Sequence, residues 1–242
     1  MYAKRFYELF PVTSYLLLLN TIFFFLEVLQ HWKLTGEVPM PFDIGGIHPK
    51  VLDILGSLSL DDVRRGEAWR LVTAGFLHAG MLHILFNGLF LLDLGRRCEP
   101  LLSSWKFLVV YGVSLLGGSL GSILSAYITG RDGGSVGASG AICGLIGVLL
   151  GYSLRERQVE MRDAILRSIF WIVILSLVIE HIDHAAHAGG FIAGFAMGLT
   201  VSDYIDSRTA PRWRYPGIAV AIAGLLCLAL GLWNYFEKRG SL

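Results

Sequence analysis

Long apolar runs separated by short polar segments dominate this chain. A membrane-spanning helix needs about 20 consecutive, predominantly apolar residues. By that measure the pattern predicts seven spans, at residues 13–30, 77–95, 105–128, 138–154, 167–182, 185–202 and 216–236. Because only helices and closed barrels satisfy the backbone in lipid, runs of this length predict an all-α polytopic membrane protein. We expect residues 1–242 to form a single transmembrane domain.

The segment between the first two spans, residues 31–76, has a different pattern. It contains several prolines and glycines together with charged residues, and it is too interrupted to span a membrane. Within it, residues 51–72 mix apolar positions with Asp61, Asp62, Arg64, Arg65 and Glu67. A segment of that composition is typical of short helices in a membrane interface. We therefore expect residues 31–76 to form a long first loop with interfacial helices.

Composition supports membrane insertion and excludes other classes. The chain is 54% hydrophobic and 16% charged, whereas soluble domains carry roughly 25% charged residues. Its 20 basic and 19 acidic residues nearly balance, which argues against a nucleic-acid partner. Cys98, Cys143 and Cys227 lack the spacing of a metal site, so we interpret them as small apolar fillers. We expect no cofactor.

The distribution of Lys and Arg predicts the orientation in the membrane, because cytoplasmic loops carry an excess of basic residues. With the N-terminus inside, the short outer loops and the C-terminal tail carry only Arg131, Lys238 and Arg239. The inner segments would then carry Lys4, Arg5, Arg96, Arg97, Lys106, Arg155, Arg157, Arg162, Arg167, Arg208, Arg212 and Arg214. We predict a cytoplasmic N-terminus and an external C-terminus. The first apolar run has no small-residue cleavage site after it, so we expect an uncleaved first span.

Ser139 and His187 are the first candidates for chemistry, since polar groups that transfer protons are costly in a bilayer and therefore mark functional sites. Ser139 precedes the inner charge Arg155 by 16 residues, and His187 precedes Asp203 by 16. At 1.5 Å per residue, both lie roughly 24 Å above the inner boundary. In a hydrocarbon core of about 30 Å, that depth is about 6 Å below the outer surface. The two side chains are therefore predicted at one depth.

Glycine stripes suggest that the helices carrying these residues touch. Gly140, Gly144, Gly147 and Gly151 follow Ser139, while Ala186, Gly190, Gly194 and Gly198 surround and follow His187. Small residues let membrane helices approach closely, although any one such pair is also common in generic bundle packing. Two stripes that begin beside Ser139 and His187 favour a direct contact. Gly130, Gly133, Gly134 and Gly137 supply a flexible loop before Ser139, at a helix N-terminus where free N–H groups can bind negative charge.

His83 and Asn87 form a third polar element. Their spacing of four residues places both on one face of the second span, near its outer end. Two interpretations remain open at this point. The pair can be a polar contact that joins neighbouring helices. Alternatively, the two side chains can donate hydrogen bonds to an oxyanion.

The polar sequence Glu180-His181-Ile182-Asp183-His184, followed by His187, admits a metal site, since carboxylates and imidazoles bind zinc. It lacks the His-Glu-x-x-His spacing and falls at a predicted loop, so a solvated turn is the stronger interpretation and no metal is expected. Asp183 could also orient His187 through its second ring nitrogen. That alternative stays open from the sequence.

Taken together, the motifs resemble the rhomboid family of intramembrane serine proteases. They are Trp69-Arg70, His83-x-x-x-Asn87, Gly137-Ala138-Ser139-Gly140 and Ala186-His187-Ala188-Gly189-Gly190, in the family's order. The run from Phe76 to Asn87 is also family-like, and the resemblance covers about residues 60–203. It implies a six-helix core, with residues 77–203 holding catalytic helices 2–6 and residues 216–236 adding a seventh transmembrane helix. This chain has Cys143 four positions after Ser139, whereas several members of the family have an aromatic residue at that position.

The resemblance implies an endopeptidase that cleaves transmembrane segments of other membrane proteins near the outer membrane face. Ser139 would be the nucleophile and His187 the general base and acid. The oxyanion donors would be the backbone N–H of Ser139 with the side chains of His83 and Asn87. Trp69-Arg70 would be structural.

Two other functions compete with this interpretation. A catalytically silent relative that binds transmembrane clients would be marked by loss of the serine or the histidine, and both are present. A transporter would carry charges at mid-bilayer and broken helices in two repeats, which the pattern lacks. The expected partners are the lipid bilayer and membrane-protein substrates. The sequence does not begin with a long Arg/Ser-rich leader, which favours a bacterial plasma membrane.

Overall fold

The computed structural model describes residues 5–40, 46–178, 182–200 and 210–238. In these ranges the chain is helical, and its β pairing is one isolated antiparallel bridge between Leu58 and Ser135. A 3-10 helix covers Ala74–Phe76. The α-helices are α1 (Phe6–Leu9), α2 (Pro11–Thr35), α3 (Pro49–Leu55), α4 (Leu60–Arg64), α5 (Arg70–Thr73), α6 (Met81–Leu102), α7 (Ser104–Thr129), α8 (Ser139–Arg155), α9 (Val159–Val178), α10 (His184–Thr200) and α11 (Ala210–Lys238).

The helices have the length and composition of a polytopic membrane protein. Three of them, Pro11–Thr35, Ser104–Thr129 and Arg212–Lys238, are each long and apolar enough to cross a bilayer. The segment Arg70–Phe76 with Met81–Leu102 passes the same test as a pair bent by 95°. Helix α8 is apolar but only 17 residues long, as is α10. At 1.5 Å per residue such helices measure about 26 Å, so they can begin below one surface of a bilayer whose hydrocarbon core is about 30 Å thick.

Helix bounds differ from the predicted spans at several ends. α6 ends at Leu102, seven residues past the second predicted span, and α11 begins at Ala210, six residues before the seventh. α2 continues to Thr35, five residues past the first predicted span, and α9 begins at Val159, eight residues before the fifth. Hydropathy identifies only the apolar part of a helix. The helix itself can extend further, into the polar interface. α6 begins at Met81 rather than residue 77, because the chain bends between Phe76 and Gly80. The ends of the fifth and sixth predicted spans, 179–181 and 201–202, lie outside the described residues.

Helix α8 forms the centre of the bundle. Most of its residues are buried, and its most extensive contacts are with α10 and α7. A Cβ added at Gly190, Gly194 or Gly198 of α10 would overlap the carbonyl oxygen of Gly140, Gly144 or Val148, respectively. The predicted contact between the two glycine stripes is therefore confirmed. The two helices can approach this closely only with glycine at these positions of α10, because any side chain there would collide with the backbone of α8.

A further glycine contact, absent from the sequence prediction, joins α10 to α7. A Cβ on Gly189 would overlap the carbonyl oxygen of Gly117, and one on Gly121 would overlap that of Ala185. The signal was present as the Gly117-x-x-x-Gly121 spacing in the third span. α10 is thus held closely on two sides, which limits the positions that His187 can adopt.

Glu99 ties the start of α2 to the end of α6. Its buried carboxylate accepts hydrogen bonds from the backbone N–H of Val12 at 2.9 Å and of Thr13 at 3.0 Å. It also accepts from the hydroxyls of Thr13 at 2.7 Å and Ser104 at 2.7 Å. These donors include N–H groups in the first turn of α2, which have no acceptor within their own helix. Glu99 therefore stabilises the junction of α2, α6 and α7.

The first loop, for which the sequence predicts short helices, folds into α3, α4, α5 and the 3-10 helix. Buried Arg70 organises them by donating to the carbonyl oxygens of Asp53 at 2.7 Å and Ser57 at 2.8 Å. Its Nε also contacts Glu67 Oε2 at 2.6 Å. Arg70 thus satisfies carbonyl groups that follow or end a short helix.

Candidate active site

Ser139 and His187 lie in hydrogen-bonding contact. The distance from His187 Nε2 to Ser139 Oγ is 2.8 Å. Ser139 is the first residue of α8, and His187 lies in the first turn of α10. The structure thus brings together the two side chains that the sequence predicts at one depth. A hydroxyl with an imidazole at this distance is the arrangement of a nucleophile and its general base.

Asp183 fixes the start of the helix that carries His187. Its Oδ1 accepts a hydrogen bond from the backbone N–H of Ala186 at 2.9 Å, as an N-cap residue does. Its carbonyl oxygen accepts from the backbone N–H of His187 at 3.1 Å. The carboxylate therefore acts on the backbone of α10, and the described contacts assign it no bond to the His187 ring.

Gly137 brings the loop before Ser139 close to His83. Its φ of +120° lies in the left-handed region that favours glycine. A Cβ at this position would lie 2.7 Å from His83 Nε2 and 3.8 Å from Ser139 Oγ. Its N–H donates to the carbonyl oxygen of Ala74 at 2.8 Å. His83 Nε2 and the Ser139 hydroxyl consequently border the same small volume, which a larger residue would fill.

The hydrogen bonding of His83 defines which ring nitrogen carries its proton. Nδ1 accepts a hydrogen bond from the backbone N–H of Ala79 at 3.3 Å. In a neutral imidazole one nitrogen accepts and the other donates, so Nε2 carries the hydrogen. Nε2 is the atom that faces Gly137. His83 therefore presents a donor on the side of Ser139.

Asn87 lies one turn below His83 and is buried. Its Nδ2 donates a hydrogen bond to the carbonyl oxygen of His83 at 2.8 Å. This bond lies within α6 and does not join two helices. An amide nitrogen carries two hydrogens, so this bond uses one of them.

His78, a neighbour of the site, belongs to the family-like run from Phe76 to Asn87, and the sequence assigned it no role. Its buried ring meets the His83 ring edge-on, with centroids 5.1 Å apart and an interplanar angle of 67°. Its backbone N–H donates to the buried carboxylate of Glu27, at 3.0 Å to Oε1 and 3.2 Å to Oε2. Helix α2 thus fixes the segment before α6. The sequence signal was a second histidine five residues before His83.

In the part of the chain that the structure describes, no group of three or more His, Cys, Asp or Glu side chains has the arrangement of a metal site. Glu180 and His181, which belong to the metal alternative, lie outside the described residues. The three cysteines are free thiols, with Cys98 buried and the other two partly buried.

The described helices form an all-α membrane bundle in which a serine and a histidine lie in contact at the starts of two helices. This arrangement places the chain among intramembrane proteins, and comparison with known proteins identifies the family. The Rhomboid domain matches residues 65–204, more than half of the chain. The chain therefore belongs to the rhomboid family.

Curated relatives carry the same family name. The chain is 36% identical to RHOMBOID-like protein 5 of Arabidopsis thaliana over 61% of this chain and 48% of that protein. It is 35% identical to rhomboid protease GluP of Bacillus subtilis (strain 168), over 68% and 33% of the two chains. For the putative rhomboid protease YdcA of the same bacterium the identity is 34%, over 57% and 69%. The chain spans about half or less of the length of the first two relatives.

Proposed function

We propose that this protein is an intramembrane serine endopeptidase that cleaves transmembrane segments of other membrane proteins. The observation that carries the proposal is the 2.8 Å contact between His187 Nε2 and Ser139 Oγ. Membership of the rhomboid family and similarity to relatives named as proteases support it. A serine hydroxyl needs an adjacent base to become a nucleophile, and His187 is placed to be that base.

Ser139 and His187 would act as a dyad. His187 Nε2 takes the proton of the Ser139 hydroxyl while Oγ attacks the carbonyl carbon of the scissile peptide bond. The protonated imidazole then gives this proton to the leaving amine, and an acyl-enzyme remains. In the second half, His187 takes a proton from water as the water oxygen attacks the ester carbonyl carbon. The bond from that carbon to Ser139 Oγ then breaks, the imidazolium returns its proton to Oγ, and the new carboxyl end is released with the dyad restored.

We propose that three donors would bind the developing oxyanion. The backbone N–H of Ser139 lies at the start of α8, where N–H groups have no acceptor within the helix. His83 presents its Nε2 hydrogen toward the same volume. Asn87 has a second amide hydrogen to contribute. Donors fixed in advance at such a position stabilise the transition state more than the substrate.

The depth of the dyad determines which substrates it can reach. Ser139 and His187 start their helices, so a scissile bond must come close to one end of the bundle. With the proposed orientation, that end is the outer membrane face. Peptide bonds in a regular helix are sterically hidden, so we propose substrates whose transmembrane helix unwinds readily at small residues.

A covalent serine-reactive probe tests the function directly. The full chain, purified in detergent, is incubated with a fluorophosphonate probe and with a fluorescent transmembrane peptide substrate. We expect labelling of Ser139, identified by mass spectrometry, together with peptide cleavage that the probe blocks. A folded protein that binds the peptide but neither labels nor cleaves would instead be a client-binding protein, and the protease proposal would be rejected.

A further inference from the structure

Helix α11, which lies outside the matched rhomboid domain, contacts the first loop at its C-terminal end. Asn234 Nδ2 donates a hydrogen bond to the carbonyl oxygen of Ile54 at 3.0 Å. Buried Gly231 lies one turn earlier, and a Cβ there would be 3.1 Å from Thr73 Cγ2 and 3.3 Å from the Trp69 ring. α11 therefore packs directly on α3 and α5 of the first loop.

The contact of Asn234 satisfies a backbone group that would otherwise be costly. Ile54 lies in the last turn of α3, where carbonyl oxygens have no intrahelical donor. The neighbouring carbonyl of Asp53 is satisfied by Arg70. Asn234 and Arg70 thus cap the end of α3 from two directions. An unsatisfied buried acceptor costs about 1–3 kcal/mol. Because the hydrogen bond from Asn234 removes this cost at the Ile54 carbonyl oxygen, the contact is specific rather than generic packing.

The same loop is hydrogen-bonded to the segment that leads into Ser139. Leu58 and Ser135 exchange two backbone bonds, of 2.9 Å from Leu58 N to Ser135 O and 2.8 Å in the reverse direction. Further along, the N–H of Gly137 donates to Ala74 at 2.8 Å. Ser139 follows Gly137 by two residues. A continuous set of backbone contacts therefore links the first loop to the nucleophile.

We propose that α11 positions the nucleophile by clamping the first loop, with Asn234 and Gly231 as its positioning residues. Through Ile54 and α3, the clamp holds Leu58 against Ser135 and so sets the backbone that precedes Ser139. The expected effect on kcat rests on the proposed protease function. The clamp itself does not, because it is a property of the backbone contacts. Shifts of about 1 Å at a nucleophile can cost about 100-fold in rate, so a modest loosening is measurable.

The salt bridge between Lys238 Nζ and Glu67 Oε1, at 3.6 Å, joins the same two elements. Both side chains are partly exposed, and exposed ion pairs contribute little to stability. Glu67 also contacts Arg70 at 2.6 Å. We therefore expect the hydrogen bond of Asn234 and the close packing of Gly231 to carry the clamp.

The experiment compares two substitutions with matched controls on the same helix. Asn234→Leu removes the donor, while Trp233→Leu changes the adjacent, exposed position. Gly231→Val inserts a side chain against Thr73. Gly224→Val adds the same side chain seven residues earlier, where a Cβ meets nothing within 4 Å. For each full-length variant we would measure kcat and KM on a transmembrane peptide. Amide hydrogen exchange at Leu58 and Ser135 would be measured in the same detergent, well below the melting temperature.

We expect Asn234→Leu and Gly231→Val to lower kcat roughly 10- to 100-fold, with KM within about twofold, and to accelerate exchange at Leu58 and Ser135. Trp233→Leu and Gly224→Val should leave both readouts unchanged. Asn234→Gln keeps a donor and should retain more activity than Asn234→Leu. If a variant fails to fold, Gly231→Ala provides the milder test.

Two results would overturn the clamp. One is a lower melting temperature with unchanged kcat and unchanged exchange at Ser135, which would make α11 a stabiliser only. The other is an equal effect of the control substitutions. If the wild type itself proves inactive, the protease proposal fails, yet the exchange measurement still decides the clamp. Faster exchange at Ser135 in Asn234→Leu supports it, and unchanged exchange rejects it.

Discussion

The Ser139 hydroxyl and the His187 ring lie in contact at 2.8 Å, and in the proposed mechanism the two side chains would act as one chemical unit. His187 is held by the capped start of α10 and by glycine contacts on two sides of that helix. Ser139 is held by the backbone bonds of Gly137 and Ser135. At the residue scale, the chemistry therefore depends on side chains whose backbones have little freedom.

Ser139→Ala and His187→Ala are each expected to abolish cleavage of a transmembrane substrate. Because nucleophile and base act as a unit, removing either should lower kcat by roughly 10⁴-fold or more. Turnover is measured with a fluorescent peptide, and circular dichroism confirms that each variant folds. Activity near the wild-type level in either variant would refute the dyad.

The oxyanion donors should give a graded effect. Asn87→Ala and His83→Ala are each expected to lower kcat by roughly 10- to 1000-fold, because other donors remain. The measurement is steady-state kinetics alongside thermal melting. Unchanged turnover with reduced thermal stability for both variants would assign the pair a structural role within α6.

At the scale of elements, the contact between α8 and α10 is a backbone-to-backbone contact built on glycine. A Cβ at Gly194 would overlap the carbonyl oxygen, carbonyl carbon and Cα of Gly144. These atoms belong to the helix backbone and cannot rotate away. The two helices would have to separate to accommodate any side chain there.

Gly194→Val should therefore abolish the proposed proteolytic activity without altering Ser139 or His187. Overpacking typically costs about 1–3 kcal/mol of stability, and a displacement near 1 Å can lower the rate about 100-fold. Turnover, melting temperature and probe labelling are compared with those of Gly224→Val, where open space surrounds the glycine. Normal turnover of Gly194→Val would contradict this account of how the dyad is held.

The junction at Glu99 makes a separate prediction about stability. Glu99→Ala removes the acceptor of two backbone N–H groups and two hydroxyls. Since an unsatisfied buried donor costs about 1–3 kcal/mol, we expect a loss of about 3 kcal/mol in the free energy of unfolding. Asp93→Ala, which removes the exposed ion pair to Arg97 on the same helix, should change it by less than about 1 kcal/mol. Equal losses would show that Glu99 is not a junction.

At the scale of the whole molecule, α11 runs alongside α7. Gly217 packs on Trp105 at the start of α7, whereas Asn234 reaches the first loop. The C-terminal end of α11 therefore lies on the same side of the bundle as α3 and the Ser135 segment. If that side faces outward, this arrangement agrees with the membrane orientation that the distribution of Lys and Arg predicts.

Cysteine accessibility in intact cells tests this orientation. In a variant without native cysteines, Asp132→Cys and Lys238→Cys should react with a membrane-impermeant maleimide added outside. Glu156→Cys should react only after the membrane is made permeable, because it lies at the opposite end of α8 from Ser139. Labelling of Glu156→Cys in intact cells would reverse the assigned orientation.

The sequence by itself determined the helical membrane fold and the pairing of its central helices. Spans are local in the chain, since an apolar run long enough to cross lipid must be helical whatever its neighbours do. The glycine stripes could also be identified from the sequence, because their spacing already shows which face of a helix can approach another. Ser139 and His187 could be placed at one depth by counting residues from charged boundaries.

Only the tertiary structure decided how the loops position these residues. The bridge between Leu58 and Ser135, the bond from Asn234 to Ile54 and the contact of His78 with His83 join positions whose pairing leaves no periodic pattern in the chain. The bend that moves the start of α6 to Met81 also depends on packing. Backbone groups in irregular segments take whichever donor or acceptor the fold brings near them, and that choice is made in three dimensions.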